Sequence, residues 1–512
     1  MPRRILISCL VAAVGAAVYL LVAPPSTDLA AQEYRADLGL VVWNNGWYAG
    51  HHTPGYSVLF QLLGGLLGVR PTGALAAVAA AGLFAALAHH HWRGDRLAAA
   101  GAAALWFAAG TTAVLLTGRL TFLLGVAIGL GALLALAHDR RATAAALAAT
   151  TTLGSPVAGL FVALAAVAWG LADRRARGPA GAAIALAALA PTAIMLLLFP
   201  QGGSEPFAAS AFWPALAGAL LVAALLPAQE RTLRIGALLY AATLVAAFAI
   251  ANPLGGNAGR LGALAAGPIL LGALTGRRSA LLLAALALPF AYWPVYPAVR
   301  DVTRASGDPS LQARYYAPLL RYLESRPRRG GFRVEIPFTE IHWEARHVAP
   351  RFALARGWER QLDRRYGALF YDDSLDAASY RRWLDDRAVA YVAVADVALD
   401  VAAHDEAGLI EGGLPYLHEA WRGEHWTVYA VRRPRPLAGG SAAATLTGTG
   451  AVTLRAARPG DVLVRVHHTR WWRVTRGRAC VSAAPGGLTR VRVLERGTVR
   501  IEARLTGSSC RR

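Results

Sequence analysis

The first 299 residues consist largely of apolar runs of about 20 residues, and this feature most constrains what the chain can fold into. A helix of about 20 residues spans the roughly 30 Å hydrocarbon core of a membrane. The runs predict eleven transmembrane helices, near residues 5–23, 72–90, 97–116, 120–137, 142–153, 156–172, 180–199, 209–226, 233–251, 258–275 and 279–295. The fifth and sixth share one apolar run, broken by Leu153-Gly154-Ser155-Pro156, and form either two crossings or one long helix.

Arginine predicts the orientation, because positively charged loops stay in the cytoplasm. The chain has no lysine, and residues 1–299 hold 17 arginines and eight acids. With the N-terminus inside, alternate loops carry 13 of these arginines, at positions 3, 4, 93, 96, 140, 141, 174, 175, 177, 231, 234, 277 and 278. The regularity requires two crossings in 142–172. It gives a cytoplasmic N-terminus and an exported C-terminus. Residues 1–22 are either a cleaved signal peptide or an uncleaved first helix, and the second is favoured because the run is long enough to span and no small-x-small site precedes a clear mature start.

The polar residues are concentrated in residues 300–512, which hold 35 arginines and 23 acids. A fully soluble enzyme and a bare channel with short tails are therefore excluded. Helical stretches and strand-like runs alternate in 300–435, a pattern typical of an α/β domain. A Pro-, Gly- and Ala-rich linker follows, and alternating residues in 445–512 predict a small β-sandwich. The predicted fold class is an α-helical polytopic membrane protein, with domains at 1–299, 300–435 and 445–512.

The topology leaves few charges on the outer face of the membrane half. The first outer loop, residues 24–71, holds Asp28, Glu33 and Asp37, together with Tyr34 and Arg35. At 3.6 residues per turn, these three acids cannot share one helix face. Asp28 follows the first membrane helix most closely, so we predict a single catalytic carboxylate there. The alternative is that these acids are solvated loop charges.

The same loop carries a cluster of aromatic and histidine residues: Trp43, Trp47, Tyr48, His51, His52 and Tyr56. Such residues anchor a chain at the bilayer surface, or they form a sugar-binding surface. We predict substrate contacts for His51, His52 and Tyr56. Residues 57–69 are too short to span the bilayer, and we expect an interfacial helix on the outer leaflet.

Two further arginines lie between apolar runs on the outer side. Arg119 follows Leu116-Thr117-Gly118, and Arg260 follows a glycine-rich stretch that contains Asn257. An arginine at this depth is costly unless it reaches water or a partner. They either extend to lipid headgroups or converge on a phosphate, which suits the forked donors of arginine. Backbone amides near Asn257 would then approach the same phosphate.

This order of features resembles the GT-C superfamily of integral membrane glycosyltransferases, which use polyprenyl-phosphate-linked sugars. The resemblance rests on one helix, an outer loop opening with Asp28, the segment His51-His52-Thr53-Pro54-Gly55-Tyr56, a helix array and an exported C-terminal region. The layout is also similar to actinobacterial arabinofuranosyl- and mannosyltransferase-like membrane proteins. Unlike some relatives, the chain has no adjacent acidic pair after the first helix, and Leu116-Thr117-Gly118-Arg119 stands where some carry an acid.

The resemblance implies an inverting glycosyltransferase at the outer face of the cytoplasmic membrane, with Asp28 as general base. Its partners would be membrane lipids, a polyprenyl-phosphate sugar and a cell-envelope glycan acceptor, without nucleic acid, and the protein would act as a monomer. The predicted substrate-binding residues are Glu33, Tyr34, Arg35, His51, His52, Tyr56, Arg119, Asn257 and Arg260. A divalent cation (Mg²⁺, Mn²⁺ or Ca²⁺) would be held by Asp28, Glu33, His51 and His52.

Two other functions fit the sequence. A transporter or flippase for a lipid-linked glycan is one, although the chain shows no internal repeat. A glycan-binding scaffold of the cell envelope is the other, with Trp471 and Trp472 as stacking candidates. Export of the tail also makes a disulfide between Cys480 and Cys510 plausible, whereas Cys9 is expected to pack within the first helix.

Overall fold

A computed structural model describes residues 2–200, 202–274, 277–327, 331–440 and 442–511. The chain divides into two compact units. The first comprises residues 1–39, 55–200 and 204–306, and the second comprises residues 40–54, 201–203 and 307–512. The division places residues 40–54, from the middle of the first predicted outer loop, in the same unit as the polar C-terminal region.

The first unit is helical. Its helices are α1 (Pro2–Val22), α2 (Thr27–Leu38), α3 (Val58–Leu67), α4 (Val69–His91), α5 (Leu97–Leu116), α6 (Leu120–Ala137), α7 (Arg141–Gly154), α8 (Pro156–Ala172), α9 (Arg174–Leu198), α10 (Ala209–Leu225), α11 (Arg231–Ala249), α12 (Arg260–Ala273) and α13 (Arg277–Ala305). Each of the eleven predicted membrane segments coincides with one of these helices, except that residue 275 lies outside the described residues. Among the described residues, seven helices are long and apolar enough to cross a membrane.

A break between α7 and α8 shows whether the apolar run 142–172 is one long helix or two. Ser155 is extended, with φ −158°, and its Oγ accepts a hydrogen bond from the N–H of Ala158 at 3.4 Å. Pro156 occupies the first turn of α8, where its missing N–H costs nothing. The run 142–172 is therefore two helices. Both are shorter than a typical membrane span, at 14 and 17 residues.

The outward faces of the long helices are apolar. Leu6, Leu21 and Leu186 have side chains that are 68%, 85% and 68% exposed, respectively, and each lies on a long apolar helix. Soluble proteins rarely expose apolar surface on this scale, because water disfavours it. The first unit therefore has the character of a membrane-embedded helical array.

The second unit combines short helices with β-sheets. Its elements are β1 (Trp43–Asn44), β2 (His51–His52), α14 (Ala313–Glu324), β3 (Arg333–Glu335), α15 (Glu344–His347), α16 (Arg360–Tyr366), α17 (Ala377–Asp386), β4 (Val389–Ala395), α18 (His404–Glu411), β5 (Leu417–Arg422), β6 (Trp426–Val431), β7 (Ala442–Leu446), β8 (Ala451–Ala456), β9 (Gly460–His467), β10 (Trp472–Arg476), β11 (Ala479–Ala483), β12 (Leu488–Val493), β13 (Gly497–Ala503) and β14 (Cys510–Arg511).

One four-stranded sheet has the order β3-β4-β6-β5, in which β3 and β4 are parallel and the other pairs antiparallel. Two further sheets, β10-β13-β8-β7 and β14-β11-β12-β9, share an apolar core that includes Val464, Trp472 and Ile501. Leu437 and Ala438 are buried in that core, so the sandwich begins before residue 445. A disulfide joins Cys480 of β11 to Cys510 of β14.

Residues 40–54 are built into the second unit by backbone pairing. Strands β1 and β2 form a small antiparallel ladder, in which Trp43 faces His52. The N–H of Asn45 donates to the carbonyl of Thr449 at 2.7 Å, and the N–H of His467 donates to that of Ala49 at 2.8 Å. Trp43 lies in the core of the sandwich. Residues 40–54 thus contribute strands to a sheet-rich unit whose other strands are more than 250 residues away in sequence.

A buried group of acids surrounds one arginine between β3 and α18. Arg356 pairs with Asp363 and Glu406, and all three side chains are at most 2% exposed. Glu335, at the end of β3, is fully buried beside them. Burial and the charge of Glu406 raise the pKa of Glu335 well above its usual value, which favours the neutral, protonated form of this carboxyl.

The substitution Glu335→Gln is expected to stabilise the second unit increasingly as the pH rises above about 4.3, where an unfolded glutamate ionises. In the wild type, the folded state holds a proton that the unfolded chain releases, so stability falls by about 1.4 kcal/mol for each pH unit until the folded pKa is reached. Glutamine carries no such proton. Thermal midpoints at pH 5 and pH 8 measure the effect. The exposed Glu424→Gln is the control, and an equal shift in both variants would contradict the assignment.

Candidate functional site

Asp28 lies in the first turn of α2, immediately after the chain leaves α1. Pro24 and Pro25 end α1, and extended Ser26 precedes the first residue of α2. A carboxylate in a first turn is stabilised by the partial positive charge of the helix N-terminus. Asp28 is half-buried, whereas Asp37 at the other end of the same helix is exposed. The two acids on one helix therefore have different environments.

The turn that carries Arg119 is packed against the start of α2. The side-chain amide of Gln32 donates both to the carbonyl of Asp28, at 3.0 Å, and to the carbonyl of Gly118. Gly118 has φ +69°, and a Cβ at this position would collide with the Oγ of Ser26. Only glycine allows the turn to approach α2 so closely. Arg119 is thereby fixed at the N-terminus of α6.

The substitution Gly118→Ala is expected to destabilise the first unit by at least about 1–2 kcal/mol, the cost of a left-handed backbone for a residue with a Cβ. The clash with Ser26 adds to this cost and moves Arg119 away from Asp28. Thermal denaturation of the detergent-solubilised protein measures the effect. Gly178→Ala is the matched control, because nothing lies within 4 Å of a Cβ there. Equal midpoints for the two variants would contradict the tight packing.

Arg260 is the first residue of α12, directly after a short 3-10 helix, Gly255–Gly259. The side-chain oxygen of Asn252 accepts from the N–H groups of Leu254 and Gly255 at 2.8 and 3.0 Å, which starts this turn. The hydroxyl of Tyr240 donates to the carbonyl of Ala258 at 2.9 Å and accepts from the N–H of Gly262 at 3.0 Å. Tyr240 thus fixes the start of α12.

Asp28, Arg119 and Arg260 meet where three helices begin. The charges of Arg119 and Asp28 both act on Arg260, whose guanidinium also lies 5.6 Å from the ring centre of Phe122. The Nε atoms of Arg119 and Arg260 are buried and make no hydrogen bond to any described residue. Two adjacent cations with unused donors, at the positive ends of α6 and α12, are an arrangement suited to an anion.

Tyr56, which lies between β2 and α3, joins this cluster. The guanidinium of Arg35 lies 4.2 Å from the centre of its ring, and Thr121 of α6 is a hydrogen-bond partner. Burial raises the pKa of Tyr56, and the negative charge of Asp28 raises it further. The tyrosine is therefore a neutral hydroxyl beside the carboxylate. We define the anion cluster as Asp28, Arg35, Tyr56, Arg119 and Arg260.

Three other predicted substrate-binding residues lie outside the anion cluster or at its edge. Glu33 is on another face of α2, where its charge and that of Arg70 act on Tyr19 of α1. Tyr34 is only 3% exposed and lies among the packing residues of α2. Asn257 is half-buried in the turn that leads into Arg260. Of these three, Asn257 lies nearest to Arg260 along the chain.

His51 and His52 belong to the second unit and are buried there, at 0% and 7% exposure. The ring of His51 hydrogen-bonds Asn44 at 3.1 Å and the carbonyl of His52 at 3.0 Å. The Nε2 of His52 lies 2.8 Å from the hydroxyl of Thr469. These contacts hold both imidazole rings in the interior of the second unit.

The predicted metal set of Asp28, Glu33, His51 and His52 is divided between the units, with the two acids in the first and the two histidines in the second. The two histidines have the partners just described, and Glu33 lies on a different helix face from Asp28. Among the residues that the structure describes, no three His, Cys, Asp or Glu side chains gather closely enough to hold a metal ion.

The aromatic residues between Trp43 and Tyr48 are likewise part of a core. Trp43, Trp47 and Tyr48 are at most 2% exposed, and the Tyr48 hydroxyl accepts from the N–H of Glu359 at 2.9 Å. Trp472 is also core, at 1% exposure, whereas Trp471 is half-buried and packs against the guanidinium of Arg470 at 4.8 Å. The interpretation of Trp43, Trp47 and Tyr48 as membrane anchors or sugar contacts is therefore not supported by their positions.

Sequence reasoning missed the residues that position the anion cluster. Gln32, Gly118 and Tyr240 hold the three helix ends, and Thr121 and Phe122 contact Tyr56 and Arg260. Gln32 stands four residues after Asp28, so its place on the same helix face was a signal. Tyr240 lies within an apolar run, and no sequence pattern indicates its role.

Comparison with known proteins assigns no relationship. No protein-family model matches the chain, and no curated protein matches it.

Proposed function

We propose that the protein is an inverting membrane glycosyltransferase that transfers a sugar from a polyprenyl-phosphate donor to a cell-envelope glycan or lipid. The observation that carries the proposal is the anion cluster, in which one carboxylate lies beside two arginines with unused buried donors. A lipid phosphate supplies the anion that such donors suit, and the apolar helices of the first unit suit its polyprenyl chain. The resemblance to the GT-C superfamily supports the same assignment.

In this mechanism, Asp28 accepts the proton of the acceptor hydroxyl as that oxygen attacks the anomeric carbon. The bond from the anomeric carbon to the phosphate oxygen breaks, and the lipid phosphate leaves with its electron pair. Arg119 and Arg260 stabilise the growing negative charge on the phosphate. Tyr56 and Arg35 border the carboxylate and orient the sugar. The proposed topology has eleven spans, a cytoplasmic N-terminus and the second unit on the outer face of the cytoplasmic membrane.

The substitutions Arg119→Gln and Arg260→Gln test the role of the guanidinium pair. Each is expected to lower kcat/KM for the lipid-linked donor by about 10²–10³-fold, because a charge-stabilising donor is lost from the transition state. Release of polyprenyl phosphate by purified protein in detergent is the measurement. Arg234→Gln, an exposed arginine on α11, is the control.

Unchanged donor turnover in both cluster variants would overturn the proposed phosphate site. If wild-type protein moves an intact lipid-linked glycan between the leaflets of vesicles but cleaves none of it, the protein is a flippase. If it binds glycan without either activity, it is a scaffold.

A further inference from the structure

The second unit carries an open pocket that the transferase mechanism does not use. It lies between α14 and β5 and has a volume of about 450 Å³. Its lining combines aromatic, basic and small residues: Pro318, Arg321, Tyr322, Ser325, Arg326 and Trp421, with Ala420 at the edge. No acidic side chain lines it, so the pocket is positively charged.

The aromatic wall of the pocket is a stacked pair. The rings of Tyr322 and Trp421 lie 5.0 Å apart with an interplanar angle of 17°. The guanidinium of Arg326 lies 4.6 Å from the centre of the Tyr322 ring and donates to the hydroxyl of Ser325 at 3.0 and 3.1 Å. Arg326 is thus held over the aromatic wall by side chains of the pocket itself.

The pocket also presents unused hydrogen-bond donors. Arg321 is exposed, and its guanidinium makes no hydrogen bond or ion pair to any described residue. The indole N–H of the half-buried Trp421 makes no hydrogen bond to the described part of the chain either. A flat apolar wall with cationic donors at its rim suits a ring that has an apolar face and an acidic substituent.

The neighbouring strand makes an extended peptide a poor occupant. Strand β5 is the edge of its sheet, and its pairing with β6 shifts register between Glu419 and Trp421. Arg422 and Glu419 form an ion pair along the same edge at 2.6 Å. Bulges and charged side chains are features that prevent a further strand from adding to a sheet.

We propose that the pocket between α14 and β5 binds an acidic saccharide, with its carboxylate on Arg321 and Arg326 and a sugar ring against Trp421. Its volume holds about one or two sugar rings. The site is independent of glycosyl transfer at the anion cluster, and it gives the second unit a ligand class of its own.

Binding of a glucuronic acid disaccharide to the full-length protein in detergent tests the proposal, by saturation-transfer NMR and calorimetry. Wild-type protein is expected to bind it at least tenfold more tightly than the matching neutral glucose disaccharide. Arg321→Gln and Trp421→Ala are each expected to weaken binding at least tenfold. Arg422→Gln, an exposed arginine on the same strand that does not line the pocket, is the control and is expected to bind as the wild type does.

Equal affinity of the wild type and Arg321→Gln would overturn the proposal, and Arg321 is exposed enough that this variant is expected to fold. Equal affinity for the acidic and neutral disaccharides would also overturn it. Tighter binding of an acidic peptide than of the disaccharide would assign the pocket to a peptide instead. None of these outcomes depends on donor turnover, so failure here is distinguishable from failure of the proposed transferase activity.

Discussion

Asp28→Asn is expected to reduce sugar transfer from a polyprenyl-phosphate donor by about 10²–10⁴-fold, the usual contribution of a positioned general base. The amide keeps the shape of the carboxylate and cannot accept the proton of the acceptor. Donor binding should be preserved, because Arg119 and Arg260 remain in place. Asp28→Asn should therefore lower kcat much more than it changes KM for the donor. Single-turnover release of polyprenyl phosphate, with purified protein and an added acceptor, measures both effects.

The same helix offers a matched control for this experiment. Asp37 is an exposed acid at the other end of α2, so Asp37→Asn makes the same change in charge and volume on the same helix at a residue that is not part of the anion cluster. It should retain wild-type turnover. Full activity in Asp28→Asn would show that another group is the base. Equal losses in both variants would point to a general effect of helix charge.

Arg356→Met is expected to destabilise the second unit by about 3–5 kcal/mol, because it leaves buried acids without their partner. The guanidinium donates to both oxygens of Asp363, at 2.6 and 3.0 Å, and to Glu406 at 3.0 Å. Its carbon lies 3.8 Å and 4.1 Å from the ring centres of Phe338 and Phe370. Methionine preserves most of the packing volume, so the loss of stability measures the contribution of the Arg356 charge.

Hydrogen–deuterium exchange localises this effect within a chain of two units. Peptides that cover β4 and α18 should exchange faster in Arg356→Met, whereas peptides from the membrane helices should not change. Arg351→Gln is the control, because its ion pair with Glu324 is 58% and 43% exposed and is worth at most about 1 kcal/mol. Adding Asp363→Asn to Arg356→Met should restore part of the protection. A loss no larger than that of Arg351→Gln would contradict the network.

The helical part of the fold was predictable because membrane helices are determined by local composition. Each apolar run of sufficient length forms a helix. The apolar run 142–172 contains two helices, and Ser155 and Pro156 mark the boundary between them. Strand Gly460–His467 also follows local alternation, and strand Val389–Ala395 is a short continuous apolar run. Such patterns are local, so the sequence carries them directly.

The candidate site was only partly predictable. Asp28 is predicted because it follows the first membrane helix most closely, and Arg119 and Arg260 because an arginine at that depth is costly without a partner. The structure places all three at helix ends that meet. His51 and His52 are predicted as substrate contacts because they belong to the aromatic and histidine cluster of the loop that also carries Asp28. Their partners, Asn44 and Thr469, hold them inside the second unit instead. Although these residues are close to Asp28 in sequence, they belong to a different unit.

By itself, the sequence determined that this is an apolar helical chain with a polar, strand-containing C-terminal region, because hydropathy and alternation act over a few residues. Only the tertiary structure decided that residues 40–54 are strands and core of the second unit. It also decided that Gly118 and Gln32 bring Arg119 to Asp28. Those outcomes depend on hydrogen bonds and close packing between segments up to about 400 residues apart, and no local pattern encodes such partners.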